Sequence, residues 1–193
     1  MDTKALKRWE KMNISLLNYQ SVLRRKPSKF ELGLVDLLFV SNFKGGNSSI
    51  HEHESVLNVK LKSYQDALKE IHALFSDKHL YELNDLEVDT LIELGLSLLK
   101  LCKNPETSID GFKESYASAL LHAYFPNLLP ILDRRVLGGL KLINKSDLRS
   151  GQVKDILRFY PSLIKQMHRE TSLQNRPLRD IDRQYFSVVF DYD

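Results

Sequence analysis

Apolar residues recur every three or four positions through almost the whole chain, and no stretch alternates convincingly with period two, which restricts the fold to packed amphipathic helices. Leu6, Trp9, Met12, Leu16, Tyr19 and Leu23 mark one such helix, stopped by Pro27. Ser28 and Glu31 form a capping box opening a second helix in KFELGLVDLLFVSNF, whose end is marked by Gly45-Gly46. The polar loop KGGNSSIHEHES leads to a third helix with Leu57, Leu61, Tyr64, Leu68, Ile71 and Leu74 on one face. Asn84 or Asp85 caps a fourth, which carries Leu91, Leu94, Leu98 and Leu101. Residues 116–124 and 134–143 predict two short helices, and 153–167 a longer one interrupted or restarted at Pro161. Pro177 begins the last, PLRDIDRQYFSVVF. The expected class is all-α, with about eight or nine helices in a single domain, 1–193, of two lobes.

Composition narrows the function. A chain of 193 residues, 42% hydrophobic, can bury a real core. Its formal charge of +3 allows an anionic partner but is far milder than that of a chain held to nucleic acid by charge alone. The single cysteine, Cys102, excludes an internal disulfide framework, a protein-ligated iron–sulfur cluster and a Cys-rich zinc site. The start, MDTKALKRWEKMN, is charged where a signal peptide is apolar, and no apolar run reaches membrane-spanning length. A soluble, cytoplasmic protein with no membrane contact is therefore expected.

Two local patterns fail their chemistry. KGGNSS lacks the lysine and hydroxyl ending of a phosphate-cradling loop, and HEHE, at 51–54, lacks the two-histidine helical face of a zinc hydrolase, so neither cofactor nor metal is expected. His122, on a mostly apolar helix, reads as a packed, hydrogen-bonded residue. Basic residues gather at Lys4, Lys7, Arg8 and Lys11, and again at Arg24, Arg25, Lys26 and Lys29; each group is either a solvated helix face or a phosphate contact.

The segment LLHAYFPNLLPILDRRVLGGL, 120–140, places one carboxylate, Asp133, just ahead of two arginines and an apolar helix. An aspartate there is a favoured helix cap, typically worth about 1 kcal/mol. Read together with the preceding residues, IDGFKESYASALLHAYFPNLLPILDRRVLGGL over 109–140 resembles the helix-hairpin-helix DNA glycosylases of the endonuclease III superfamily. Their signature runs Leu-Pro-Gly-Val-Gly-x-Lys-Thr-Ala, then an apolar helix, then Val-Asp-Thr-His-Val. Without a gap, Ile109, Asp110 and Gly111 fall on Leu-Pro-Gly, Ala117 on the closing alanine, Ser115 on the lysine and Leu132-Asp133 on Val-Asp. A weaker resemblance spans roughly residues 28–145, and the tail LRDIDRQYF is similar to endings in uncharacterised relatives of that superfamily.

The resemblance implies a DNA-binding, two-lobed glycosylase-like protein with Asp133 as the carboxylate beside C1′ of an extruded nucleotide. Gly111, Phe112, Lys113, Ser115, Arg134 and Arg135 are its implied DNA contacts. Ser115 stands where bifunctional members carry the imine-forming lysine, so a monofunctional, hydrolytic reaction is implied. Lys113 replaces the second hairpin glycine, Asp110 adds a negative charge there, and Arg135 replaces the histidine. The alternatives are a catalytically inactive scaffold that binds nucleic acid or a protein partner, and an enzyme using the same cleft on a nucleoside or nucleotide. A concave pocket with Asp133 at its floor and a basic rim favours an enzyme; Asp133 engaged wholly in capping, with no cleft, favours the scaffold.

Overall fold

The computed structural model describes residues 2–46 and 49–189. Among these are eight α-helices: α1 (Thr3–Leu23), α2 (Leu34–Phe43), α3 (Glu54–Phe75), α4 (Asp85–Lys100), α5 (Glu114–Tyr124), α6 (Arg134–Gly139), α7 (Tyr160–Gln174) and α8 (Leu178–Phe186). The class is all-α, with one minimal antiparallel hairpin, β1 (Leu148–Arg149) and β2 (Gln152–Val153). Asn47 and Ser48 of the KGGNSS loop, and the end of PLRDIDRQYFSVVF, lie outside the described residues.

Local chemistry sets most helix ends. Asp2 caps α1 by accepting the Lys4 and Ala5 N–H groups, each at 3.0 Å. Asn84 and Glu87 form a reciprocal capping box at the start of α4. The second helix differs from expectation: Glu31 N–H merely closes a turn on the Ser28 carbonyl, and α2 begins three residues later. Its cap is made by Asp36, which accepts the Gly33 N–H at 2.9 Å while being held by Lys26 and Tyr19. A carboxylate anchored by tertiary partners thus displaces the local signal. On α3 the buried stripe ends on Phe75, leaving Leu74 54% exposed. The 153–167 prediction resolves into a 3-10 turn, Ile156–Phe159, and then α7 with Pro161 in its first turn.

The buried side chains form one continuous cluster. α5 packs against α1, α2 and α4; α4 joins α3 and α7; α8 joins α1, α6 and α7. Two close approaches depend on glycine. A Cβ at Gly139 would lie 2.2 Å from the Tyr185 carbonyl oxygen, and one at Gly95 2.5 Å from the Tyr160 hydroxyl. The first crossing draws α6 onto α8, so the helix that follows Asp133 is seated against the C-terminal helix.

Candidate active-site cleft

The 109–112 segment is a tight turn: Phe112 N–H donates to the Ile109 carbonyl at 3.0 Å, and Gly111 sits at φ 77, a left-handed conformation that favours glycine. Glu52, from HEHE, braces it. One carboxylate oxygen accepts the Asp110 N–H at 2.8 Å and the other accepts from Lys60 at 2.6 Å, while Lys60 also reaches the Ser108 carbonyl. HEHE is therefore a buttress: His53 caps α3, and no trio of metal-ligating side chains occurs among the described residues. Phe112 turns away from the predicted DNA contacts. Its ring is 1% exposed against Tyr64 and Tyr116, and its N–H is engaged in the turn.

Beyond the turn, Lys113 precedes α5 as an exposed cation and Ser115, in the first turn of α5, acts as a clamp. Ser115 Oγ donates to the Leu132 carbonyl at 2.9 Å; Ser118 Oγ accepts the Leu132 N–H at 2.9 Å and donates to the Ser115 carbonyl. Two serines one helical turn apart thus grip both polar groups of the residue preceding Asp133. Ser115, aligned with the lysine of the glycosylase signature, therefore contacts the non-helical segment that leads into Asp133.

Asp133 lies in the lining of a cleft of about 830 Å³. Oδ1 caps α6 by accepting the Arg135 N–H at 2.9 Å, and Oδ2 receives Lys44 Nζ at 2.7 Å. The Asp133 side chain keeps 20% of its surface; that of Lys44 keeps only 7%. Burial pushes the carboxyl towards the neutral form, but the Lys44 charge and hydrogen bond, the Arg135 N–H and the charge of Arg8 outweigh it and hold the pKa below the usual carboxylate range. The group is an ionised carboxylate in a sheltered place.

Five basic residues, Arg8, Lys44, Lys113, Arg134 and Arg135, line the cleft against three acidic ones, Asp110, Glu114 and Asp133. Their engagements differ. Arg134 donates to the Gly151 carbonyl at 2.5 Å, holding the β1–β2 hairpin beside the cleft. Arg135 pairs with Asp2 at 2.5 Å and lies over the Phe186 ring, tying α6 to both ends of the chain. Lys44 went unnoticed in the sequence because nothing local marks it: it is the residue after an apolar helix, and its partner is 89 positions away. The hairpin was missed because two-residue strands are too short to alternate.

Behind Asp133 the protein buries further charge. Asp182 accepts from Trp9 Nε1 at 3.1 Å and pairs with Arg179, whose guanidinium stacks over the Trp9 ring at 4.3 Å. Burial raises the Asp182 pKa and lowers that of Arg179, and the charge of Asp133 acts on both. These two residues come from the LRDIDRQYF tail. No family model, curated protein or solved structure matches the chain.

Proposed function

We propose that the protein is a nucleic-acid-binding, monofunctional N-glycosylase-like hydrolase in which Asp133 faces the sugar of a nucleotide drawn into the cleft. The observation that carries this reading is the position of Asp133: ionised, one-fifth exposed, and in a basic-lined cavity whose volume suits a small-molecule-sized group such as a nucleotide. In that role the carboxylate would stabilise positive charge on the sugar as the bond to the base breaks, and would orient water for addition at C1′. Water then supplies hydroxyl to the sugar and a proton to the departing base. The Gly111 turn, on the same cleft, is the element that the glycosylase resemblance assigns to the DNA backbone.

The Lys44 contact favours a second reading, the inactive scaffold. An ammonium 2.7 Å from Oδ2 diminishes the negative charge available to a cationic sugar. One screen separates the two: base release from duplex and single-stranded oligonucleotides bearing varied damaged bases, for the native chain, Asp133→Asn and Lys44→Met. Release lost in an Asp133→Asn chain that circular dichroism shows still folded supports the hydrolase. Binding by the native chain without release from any substrate supports the scaffold. The expected product is an intact abasic site, because Ser115 offers a hydroxyl in place of an amine. A borohydride-trapped protein–DNA adduct that disappears in Lys44→Met or Lys113→Ala would overturn the monofunctional assignment.

A further inference from the structure

The basic group on α1 is distributed differently from the one near its C-terminal end. In the latter, Arg24 donates to the Ser21 hydroxyl, Arg25 to the Ser21 carbonyl, and Lys26 pairs with Asp36, so these cations serve the fold. Lys4, Lys7, Arg8 and Lys11 are exposed, and none of their side chains forms a salt bridge or hydrogen bond with a described residue. Glu10, the one acidic residue within α1, is occupied by Arg183.

Helical geometry makes these four a continuous track. At about 100° per residue they fall within an arc of about 100°, in angular order Lys7, Lys11, Lys4 and Arg8, with Met12 next. Arg8 and Met12 line the Asp133 cleft, and the charge of Arg8 reaches Asp133. Lys4, Lys11 and Lys7 continue round the helix from Arg8 on the side away from Met12, at levels both before and after Arg8 along the axis. From Lys4 to Lys11 the helix rises about 10 Å, about three of the intervals of about 3.4 Å that separate phosphates of one strand along a duplex axis, and so the length of about four phosphates.

We propose that this flank of α1 is the exit track for a nucleic-acid strand whose reacting nucleotide occupies the cleft, with Arg8 at the entrance and Lys4, Lys11 and Lys7 set against the phosphates beyond it. The proposal rests on the nucleic-acid reading above and adds to it a direction and a surface. Continuity with the cleft selects this occupant over an anionic lipid surface, to which the same charges are complementary.

The test measures binding of labelled single-stranded and duplex oligonucleotides over a salt series, for the native chain, Lys4→Gln/Lys11→Gln, and Lys69→Gln/Lys165→Gln. The last pair of lysines lies on α3 and α7, each bonded to a neighbouring aspartate. Loss of two phosphate contacts should flatten the log–log salt slope by about 1.4 on a single strand or about 1.8 on a duplex, with the control variant unchanged. Equal slopes for the native chain and Lys4→Gln/Lys11→Gln would overturn the track while leaving the cleft reading intact. If the native chain binds no oligonucleotide, or binds phosphatidylserine vesicles in its place, both fall.

Discussion

The two carboxylate oxygens of Asp133 have different partners, one in the helix it caps and one the residue that follows α2, and the asymmetry of burial across the second contact decides how each partner responds to removal. Asp133→Asn keeps an oxygen for the cap, since asparagine caps as well as aspartate, but leaves Lys44 as a nearly buried ammonium without its counter-ion. The loss should be about 3 kcal/mol in chemical denaturation. Lys44→Met should cost less, about 1 kcal/mol, because Asp133 can recover hydration from the cleft and the new side chain is apolar and buried. Equal losses would mean that the two groups share solvent alike. Lys44→Met should also raise the Asp133 pKa, read by NMR titration of its carboxyl carbon, since the largest opposing influence on burial is removed. Because the folded-state value is depressed, the contribution of this pair to stability is present above the ordinary carboxylate pKa and fades as pH falls through the lowered one. The sequence exposed the cap, a local signal, whereas the ion pair needed the folded chain.

At the scale of elements, helix periodicity was legible because the contacts that bury an amphipathic stripe repeat every turn, and an error of a residue or two leaves the stripe intact. What was not legible came from partners distant in sequence. Asp36 moved the start of α2 because Lys26 and Tyr19 hold it, and Arg134 fixes a hairpin that no local pattern announces. The serine clamp between α5 and the Asp133 approach belongs to the same class, and its members should not be equivalent. Ser118→Ala leaves the buried Leu132 N–H without its acceptor and should cost about 1–3 kcal/mol, whereas Ser115→Ala breaks a part-buried bond and leaves only an under-satisfied carbonyl, and should cost about 1 kcal/mol or less. Urea midpoints of the two variants measure the difference. Gly139→Ala tests the crossing of α6 and α8. Its methyl group meets backbone, which cannot rotate away as a side chain could, so a loss above about 1 kcal/mol and weakened amide protection in both helices are expected. An unchanged denaturation midpoint would show that the crossing yields.

Across the whole molecule, long-range contacts gather buried polar groups from both ends of the chain around one interior: Trp9 from α1, His122 from α5, and Arg179 and Asp182 from α8, with Trp9 and Asp182 separated by 173 positions. The resemblance drew attention to LRDIDRQYF, but only the fold gives its arginine and aspartate a task, which is to close the core behind Asp133. His122 supplies the sharpest consequence for stability. Its Nδ1 contacts the Leu129 carbonyl at 2.7 Å, so Nδ1 carries the proton, and Nε2 is a buried lone pair with no hydrogen-bond partner among the described residues. Burial, helped by the Arg179 charge and opposed by the Leu129 bond, pushes its pKa down to about 3. On unfolding, the ring regains its ordinary value near 6.5. Between those limits the unfolded chain binds more protons than the folded one, so stability falls as pH falls, by up to about 1.4 kcal/mol per unit from this residue. Carboxylates with lowered pKa values, Glu52, Glu87 and Asp133 among them, add their own acid loss as pH falls below about 5, His72 adds to the loss from His122, and Asp182, whose pKa burial raises, opposes it; all of these are common to the native chain and a His122 variant. His122→Gln keeps an amide donor for Leu129 and does not titrate. Its unfolding free energy, measured in urea at intervals from pH 7 to 4, should therefore decline less steeply than that of the native chain by close to one proton, even if it is lower at pH 7. Parallel curves over that interval would mean that His122 is protonated within the fold, and that Nε2 has found a partner to which it donates.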